Sequence, residues 1–139
     1  MIGTLNMSRC FRKGLHVIGY VTIGTNDFDR ATDFYDQLLA VVGISRLWQH
    51  ESMAAWGRSR DEIALCITTP HDGNDATVGN GVMVALRMEN RDQVDAVHAK
   101  CVELGGADDG KPGPRGDHGF YGGYFRDLDG NKLNAYLPG

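Results

Sequence analysis

Tyr20-Val21-Thr22-Ile23-Gly24, with Asn26 and Asp27 after it and then Ala31, Phe34, Tyr35, Leu38, Leu39 and Val42 before Gly43, is the stretch whose reading decides the fold. The pentad is rich in β-branched residues, which favour a pleated strand. Asn26 and Asp27 have short side chains that accept from orphan backbone N–H groups, as helix N-caps do. The six apolar residues that follow fall at i, i+3, i+4, i+7, i+8 and i+11, one face of an α-helix. Gly43 suits the left-handed residue that stops such a helix.

The same arrangement returns 63 positions later. Met83-Val84-Ala85-Leu86-Arg87 is the strand, and Asn90 with Gln93 forms a capping-box pattern. Val94, Val97, His98, Cys101 and Val102 make the helical face, and Gly105-Gly106 stop it. At this offset Val21 meets Val84, Asp29 meets Asp92 and Gly43 meets Gly106. Identities are few, but strand, cap, apolar face and stop are all in register, which is how an internal repeat reads.

Strands follow each helix. In the first half they are expected at Ser45–His50, Met53–Arg58 and Ile63–Thr69, with a polar turn over Gly57–Glu62. In the second half Tyr121–Arg126 and Lys132–Leu137 flank Asp127-Leu128-Asp129-Gly130-Asn131, where Asp-Gly is a strong hairpin signal. His71–Gly81 reads as the polar link between halves. Ala107–Gly119, with Gly110, Pro112, Gly113, Pro114, Gly116 and Gly119, reads as a long loop, a candidate lid or binding loop. Gly122 and Gly123 come next and are expected to leave room for a ligand. Each half is thus close to β-α-β-β-β.

Composition narrows the classes. A chain of 139 residues with 42% apolar residues can bury a core as one domain. Nineteen glycines, about twice the usual share, need turns or close approaches to explain them. A net charge of −4 argues against a nucleic-acid binder, and Arg9, Arg12 and Lys13 are too short a basic run to change that. Leu38–Ile44 is the longest apolar run, far below the ~18 residues of a membrane span. Residues 1–14 carry no apolar signal region, and Cys10, Cys66 and Cys101 show no motif spacing, so a reducing cytoplasm is expected.

Two strings together carry a family resemblance. Tyr124-Phe125-Arg126-Asp127-Leu128-Asp129-Gly130-Asn131-Lys132-Leu133 resembles the last hairpin of the glyoxalase/bleomycin-resistance/extradiol-dioxygenase group, the vicinal oxygen chelate superfamily. Asp27-x-x-Arg30-Ala31-x-x-Phe34-Tyr35-x-x-Leu38-Leu39 resembles its first helix. Leu128 stands where the family usually has Pro. The resemblance runs from about Val17 to Leu137. It implies an α+β fold: two βαβββ modules (about 17–69 and 81–137) in a single glyoxalase-like domain over residues 1–139, forming curved mixed sheets around a cleft, with a helix on the outer face of each. It also implies small-molecule work in that cleft, and a homodimer.

Family enzymes usually hold one divalent metal through the first and last strands of each module, where it acts as a Lewis acid. The resemblance puts Tyr20, Met83 and Asn134 at three of those slots and Cys66 near the fourth. Hard or borderline metals want carboxylate, imidazole or thiolate. Met is soft, Asn weak, and Tyr poor unless deprotonated. No metal and no other cofactor is therefore expected. His16, His50, His71, His98 and His118 show no ligand spacing. His98 reads as a satisfied core histidine. Asp127 begins a calcium-loop pattern, but Pro138 stands at its twelfth position, and Gly113-Pro114-Arg115-Gly116 lacks the ending of a phosphate loop.

The cleft is thus expected to have Tyr20, Met83 and Asn134 on its floor and Trp48, Trp56, His118, Tyr121 and Tyr124 on its walls. Arg115 is a candidate clamp for a substrate anion. His118 with Tyr121 is the expected proton-transfer pair, His because it titrates near neutrality. The expected function is metal-free binding or transformation of a small organic molecule. The alternatives are a metal-dependent lyase or dioxygenase with non-standard ligands, and a non-catalytic drug-binding protein. No nucleic-acid or membrane partner is expected.

Overall fold

The computed structural model describes residues 17–139; Cys10, His16 and the Arg9, Arg12 and Lys13 cluster lie outside the described residues. The chain builds one module from β1 (Tyr20–Gly24), α1 (Phe28–Ala40), β2 (Ser45–Gln49), β3 (Met53–Gly57) and β4 (Ala64–Thr68). The second comprises β5 (Val84–Arg87), α2 (Arg91–Glu103), β6 (Ala107–Arg115), β7 (Phe120–Arg126) and β8 (Lys132–Leu137). Each module has a four-stranded mixed sheet, ordered β1-β4-β3-β2 in the first and β5-β8-β7-β6 in the second. In both, the first strand runs parallel to the last, and the remaining pairs are antiparallel. Among the described residues no helix is long and apolar enough to cross a membrane.

The helices start where the caps predict. Asp27 accepts from the Arg30 backbone N–H at 3.1 Å. Asn90 Oδ1 accepts from Gln93 N–H at 2.9 Å, and the Gln93 side-chain Oε1 accepts in return from Glu89 N–H at 2.8 Å. At the end of α2 a side chain on Gly106 would collide with Cys101 Sγ and would meet the Arg126 carbonyl oxygen at 2.6 Å. Only glycine lets α2 turn this tightly onto β7.

One expectation is corrected. Ala107–Arg115 is not a loop but a nine-residue strand paired with β7; only Gly116–Gly119 forms the turn. Its position explains how it tolerates Pro112 and Pro114: β6 is the edge of its sheet, where a missing donor costs no ladder bond. The register shifts between Asp108 and Gly110 and again between Gly110 and Gly113. Gly110, at φ +154, takes one of these irregularities.

The main apolar core draws on both modules. Phe34, Tyr35, Leu38 and Trp56 from the first join Val94, Val97, Phe125 and Leu133 from the second. The modules are tied by the β7–β8 hairpin. Asp127 is buried, and its Oδ1 accepts from Asp129 N–H and Asn131 N–H, both at 2.9 Å. Its Oδ2 accepts from the Tyr35 hydroxyl at 2.6 Å and from Asn131 Nδ2 at 2.9 Å. Asn131 Nδ2 also donates to the Gly24 carbonyl oxygen at 2.8 Å, and Asp129 Oδ1 accepts from Asn26 N–H at 2.9 Å. A carboxylate taken out of water is expensive unless hydrogen-bonded, and this one is bonded on both oxygens.

Burial first, and the Asp127 carboxylate second, push the Tyr35 hydroxyl well above the ordinary tyrosine range. Tyr35→Phe should cost about 1.5–3 kcal/mol in urea unfolding at pH 7, since it deletes a bond to a carboxylate. A raised native pKa means that the stabilisation is full below about pH 10 and lost as pH climbs beyond it. The wild-type chain should therefore lose stability above pH 10 more steeply than Tyr35→Phe; equal slopes would remove this account.

Candidate ligand-binding site

Strand register sorts every sheet residue onto one of two faces. In the first sheet Val21, Ile23, Ala54, Trp56, Leu65 and Ile67 face the helices and the shared core. Thr22, Trp48, Ala55 and Cys66 take the opposite, open face, where Ala55, Ala64 and Cys66 form a small separate cluster beside Trp48. In the second sheet Phe125, Leu133 and Ala135 face the core, so their neighbours Tyr124, Lys132, Asn134 and Tyr136 fall on the open face.

The predicted residues separate accordingly. Tyr20 is 62% exposed and lies with Trp48 in a shallow depression of about 250 Å³ that Gly19, Leu47 and Arg60 also line. Trp48 stacks obliquely on His50. Trp56 is not on that face: it is buried in the core, donates from Nε1 to Asp36 Oδ1 at 2.9 Å, and carries the Arg46 guanidinium over its ring. It also lines a cavity of about 410 Å³ between the modules, with Val21, Leu39, Leu65, Val84 and Met88. Met83 is exposed, one residue ahead of β5.

Tyr121 packs against the core and donates to Asp95 Oδ1 at 2.7 Å, a bond that raises its pKa. Tyr124 is on the other face, so these two tyrosines do not share a wall. His118 sits exposed in the turn between β6 and β7, and the Tyr121 hydroxyl is directed to α2 rather than to it. His98 is a buried histidine with a partner, its Nε2 2.8 Å from Asp108 Oδ1. The Gly110 backbone N–H, then His98, holds the Asp108 carboxyl below its usual range.

Gly122 and Gly123 do not leave room for a ligand. A Cβ on Gly122 would meet the Phe120 ring at 2.9 Å, and one on Gly123 would meet Pro112 and His98 at 3.0 and 3.3 Å. The missing side chains let protein groups close in.

Register also decides which residues stand side by side on the paired first and last strands. Thr22 lies directly opposite Cys66, and Ala85 opposite Asn134; Tyr20 pairs instead with Ala64. Core pairs Val21–Leu65 and Leu86–Ala135 set these registers. The side-by-side residues are then a hydroxyl, a thiol, a methyl and an amide. They do not fit a hard divalent ion, which needs charged or imidazole donors. Among the described residues no three His, Cys, Asp or Glu side chains converge.

Asn134 is 2% exposed, and its Oδ1 has no hydrogen-bond partner. Around it the open face is aromatic and cationic. Arg115 and Lys132 both approach the Tyr124 ring, at 5.7 and 5.5 Å, and Phe120 stacks on Tyr136 at 5.7 Å. Lys132, Phe120 and Tyr136 were not singled out from sequence. The alternation of Lys132, Asn134 and Tyr136 with Leu133, Ala135 and Leu137 was the available signal.

Burial raises the Cys66 thiol, and burial with Asp127 pushes Cys101 up to about 12. In a Cys10→Ser background neither should react with a disulfide reagent at pH 8 until the chain is unfolded. Fast labelling of the native protein would contradict the burial described.

The sequence matches the family model of the Glyoxalase/Bleomycin resistance protein/Dioxygenase superfamily over residues 17–135. It is similar to the crystal structure of a glyoxalase/bleomycin resistance protein from Albidiferax ferrireducens T118, with 34% identity, TM-score 0.81, and coverage of 89% of this chain and 100% of that one. A glyoxalase-related enzyme from Fulvimarina pelagi shares the fold at 18% identity and TM-score 0.68, covering 88% of each chain. So does a lactoylglutathione lyase from Agrobacterium tumefaciens, at 18% identity and TM-score 0.62, covering 86% of this chain and 92% of that one. Comparison with curated proteins gives no significant match.

Proposed function

Because the chain belongs to the Glyoxalase/Bleomycin resistance protein/Dioxygenase superfamily, we propose that it binds a small organic molecule on the open faces of its sheets, without the divalent metal that the family's enzymes usually hold. One observation carries this reading. Thr22 beside Cys66 and Ala85 beside Asn134 leave the paired first and last strands with no carboxylate and no imidazole. An ion there would lose most of its ligand charge, while aromatic rings and an amide remain to hold an organic ligand.

The reading includes a homodimer. Tyr20, Ile18, Val82 and Met83 are exposed apolar or aromatic groups at the start of the two first strands. A second copy would cover them, and would close each open face into a pocket. Exposed apolar groups are common at protein interfaces.

A thermal-shift screen of small aromatic and carbonyl compounds tests the binding reading, since a ligand that binds the native state raises Tm. Hits should keep their shifts after exhaustive chelation and dialysis. Stoichiometric Zn, Ni, Mn or Fe retained after dialysis would overturn the metal-free reading. Sedimentation should give twice the chain mass of 15.2 kDa; a monomer at high micromolar concentration would overturn the dimer. Product analysis of the hits then separates a binder from an enzyme.

A further inference from the structure

Resting on that reading, we propose that the ligand is a small carboxylate with an apolar or aromatic body and a hydroxyl donor, held on the open face of the second sheet by Lys132, Arg115 and Asn134. Charge is the first argument. The chain as a whole is acidic, at −4. This face is the reverse. Arg126 and Lys132 share a single carboxylate, Asp109, at 3.0 and 3.7 Å. Arg115 has no carboxylate partner among the described residues; its guanidinium donates only to the carbonyl oxygens of Lys111 and Pro114. Two cations on one anion, beside a third with none, leave surplus positive charge that an anionic ligand would neutralise.

The second argument is independent of charge. Asn134 Oδ1 is a buried acceptor with nothing to accept from. An unpaired buried carbonyl oxygen is costly in the free protein, and native chains keep few of them. Asn134 lies directly opposite both Tyr124 and Ala85, between Lys132 and Tyr136 on its own strand. A ligand N–H or O–H entering at exposed Ala85 would satisfy it. The body of the ligand would then lie against Tyr124 and the Phe120–Tyr136 stack. The position where a metal ligand stands in the family's enzymes thus carries a direct hydrogen-bond acceptor for the organic molecule itself.

Titration calorimetry on the full chain, with the 2-, 3- and 4-hydroxybenzoates, the matching hydroxybenzamides and benzoate, tests the class. At least one hydroxybenzoate should bind about tenfold tighter than its amide and than benzoate. Lys132→Gln should weaken the carboxylate and leave the amide unchanged. Asn134→Leu should erase the difference between hydroxybenzoate and benzoate while raising Tm, a pairing that a merely structural asparagine would not give. Amides that bind as well as carboxylates would overturn this proposal and leave the binding reading standing. The same holds if only neutral compounds outside this panel shift Tm. If no compound in the wider screen binds, both fall.

Discussion

The buried carboxylate of Asp127 is the constraint on which the architecture depends. It accepts four hydrogen bonds, three from its own hairpin and one from Tyr35 in the other module. Removing any one donor leaves part of a charged group unsatisfied in the core, where solvent cannot replace the bond. The hairpin shape and the packing of one module on the other are therefore a single requirement. Asn131 and Asp129 extend it, reaching the backbone of Gly24 and Asn26 at the end of β1. A five-residue turn thus fixes where two sheets lie with respect to each other.

The legible part of the fold was local. Caps at Asp27 and Asn90, helical faces of period 3.6, and the Asp-Gly hairpin are each written within a dozen residues, and the structure follows them. The edge strand Ala107–Arg115 was not legible, because its glycines and prolines are compatible with a strand only when one side has no partner. Edge position is a property of the sheet and not of the segment. The same limit applied to the site. Trp48 and Trp56 sit on neighbouring strands, yet an irregularity between Arg46 and Trp48 helps decide which ring meets the core and which meets the open face. A shift of one residue exchanges the faces.

Register also decides which groups stand side by side on the paired first and last strands: Thr22 beside Cys66, and Ala85 beside Asn134. Those four positions carry a hydroxyl, a thiol, a methyl and an amide. Cys66 and Asn134 each stand between core residues of their own strand, Leu65 and Ile67 for the one, Leu133 and Ala135 for the other. Fold and chemistry are set by alternate residues of the same strands, which lets one vary while the other stays.

The two ends of the seam between the modules are unlike. At one end the Asp127 hairpin closes it. At the other, the turn between β3 and β4 meets the link between β5 and α2 through one exposed ion pair, Arg58 with Glu89 at 3.5 Å, beside the cavity of about 410 Å³. An exposed pair contributes little rigidity, and the side chains that line a gap forgo part of their packing contacts. The molecule therefore has a stiff end and a compliant end. A swing of one sheet against the other about the Asp127 hairpin would be largest near Glu89; it would change the tilt of the two open faces and leave each sheet's own register intact.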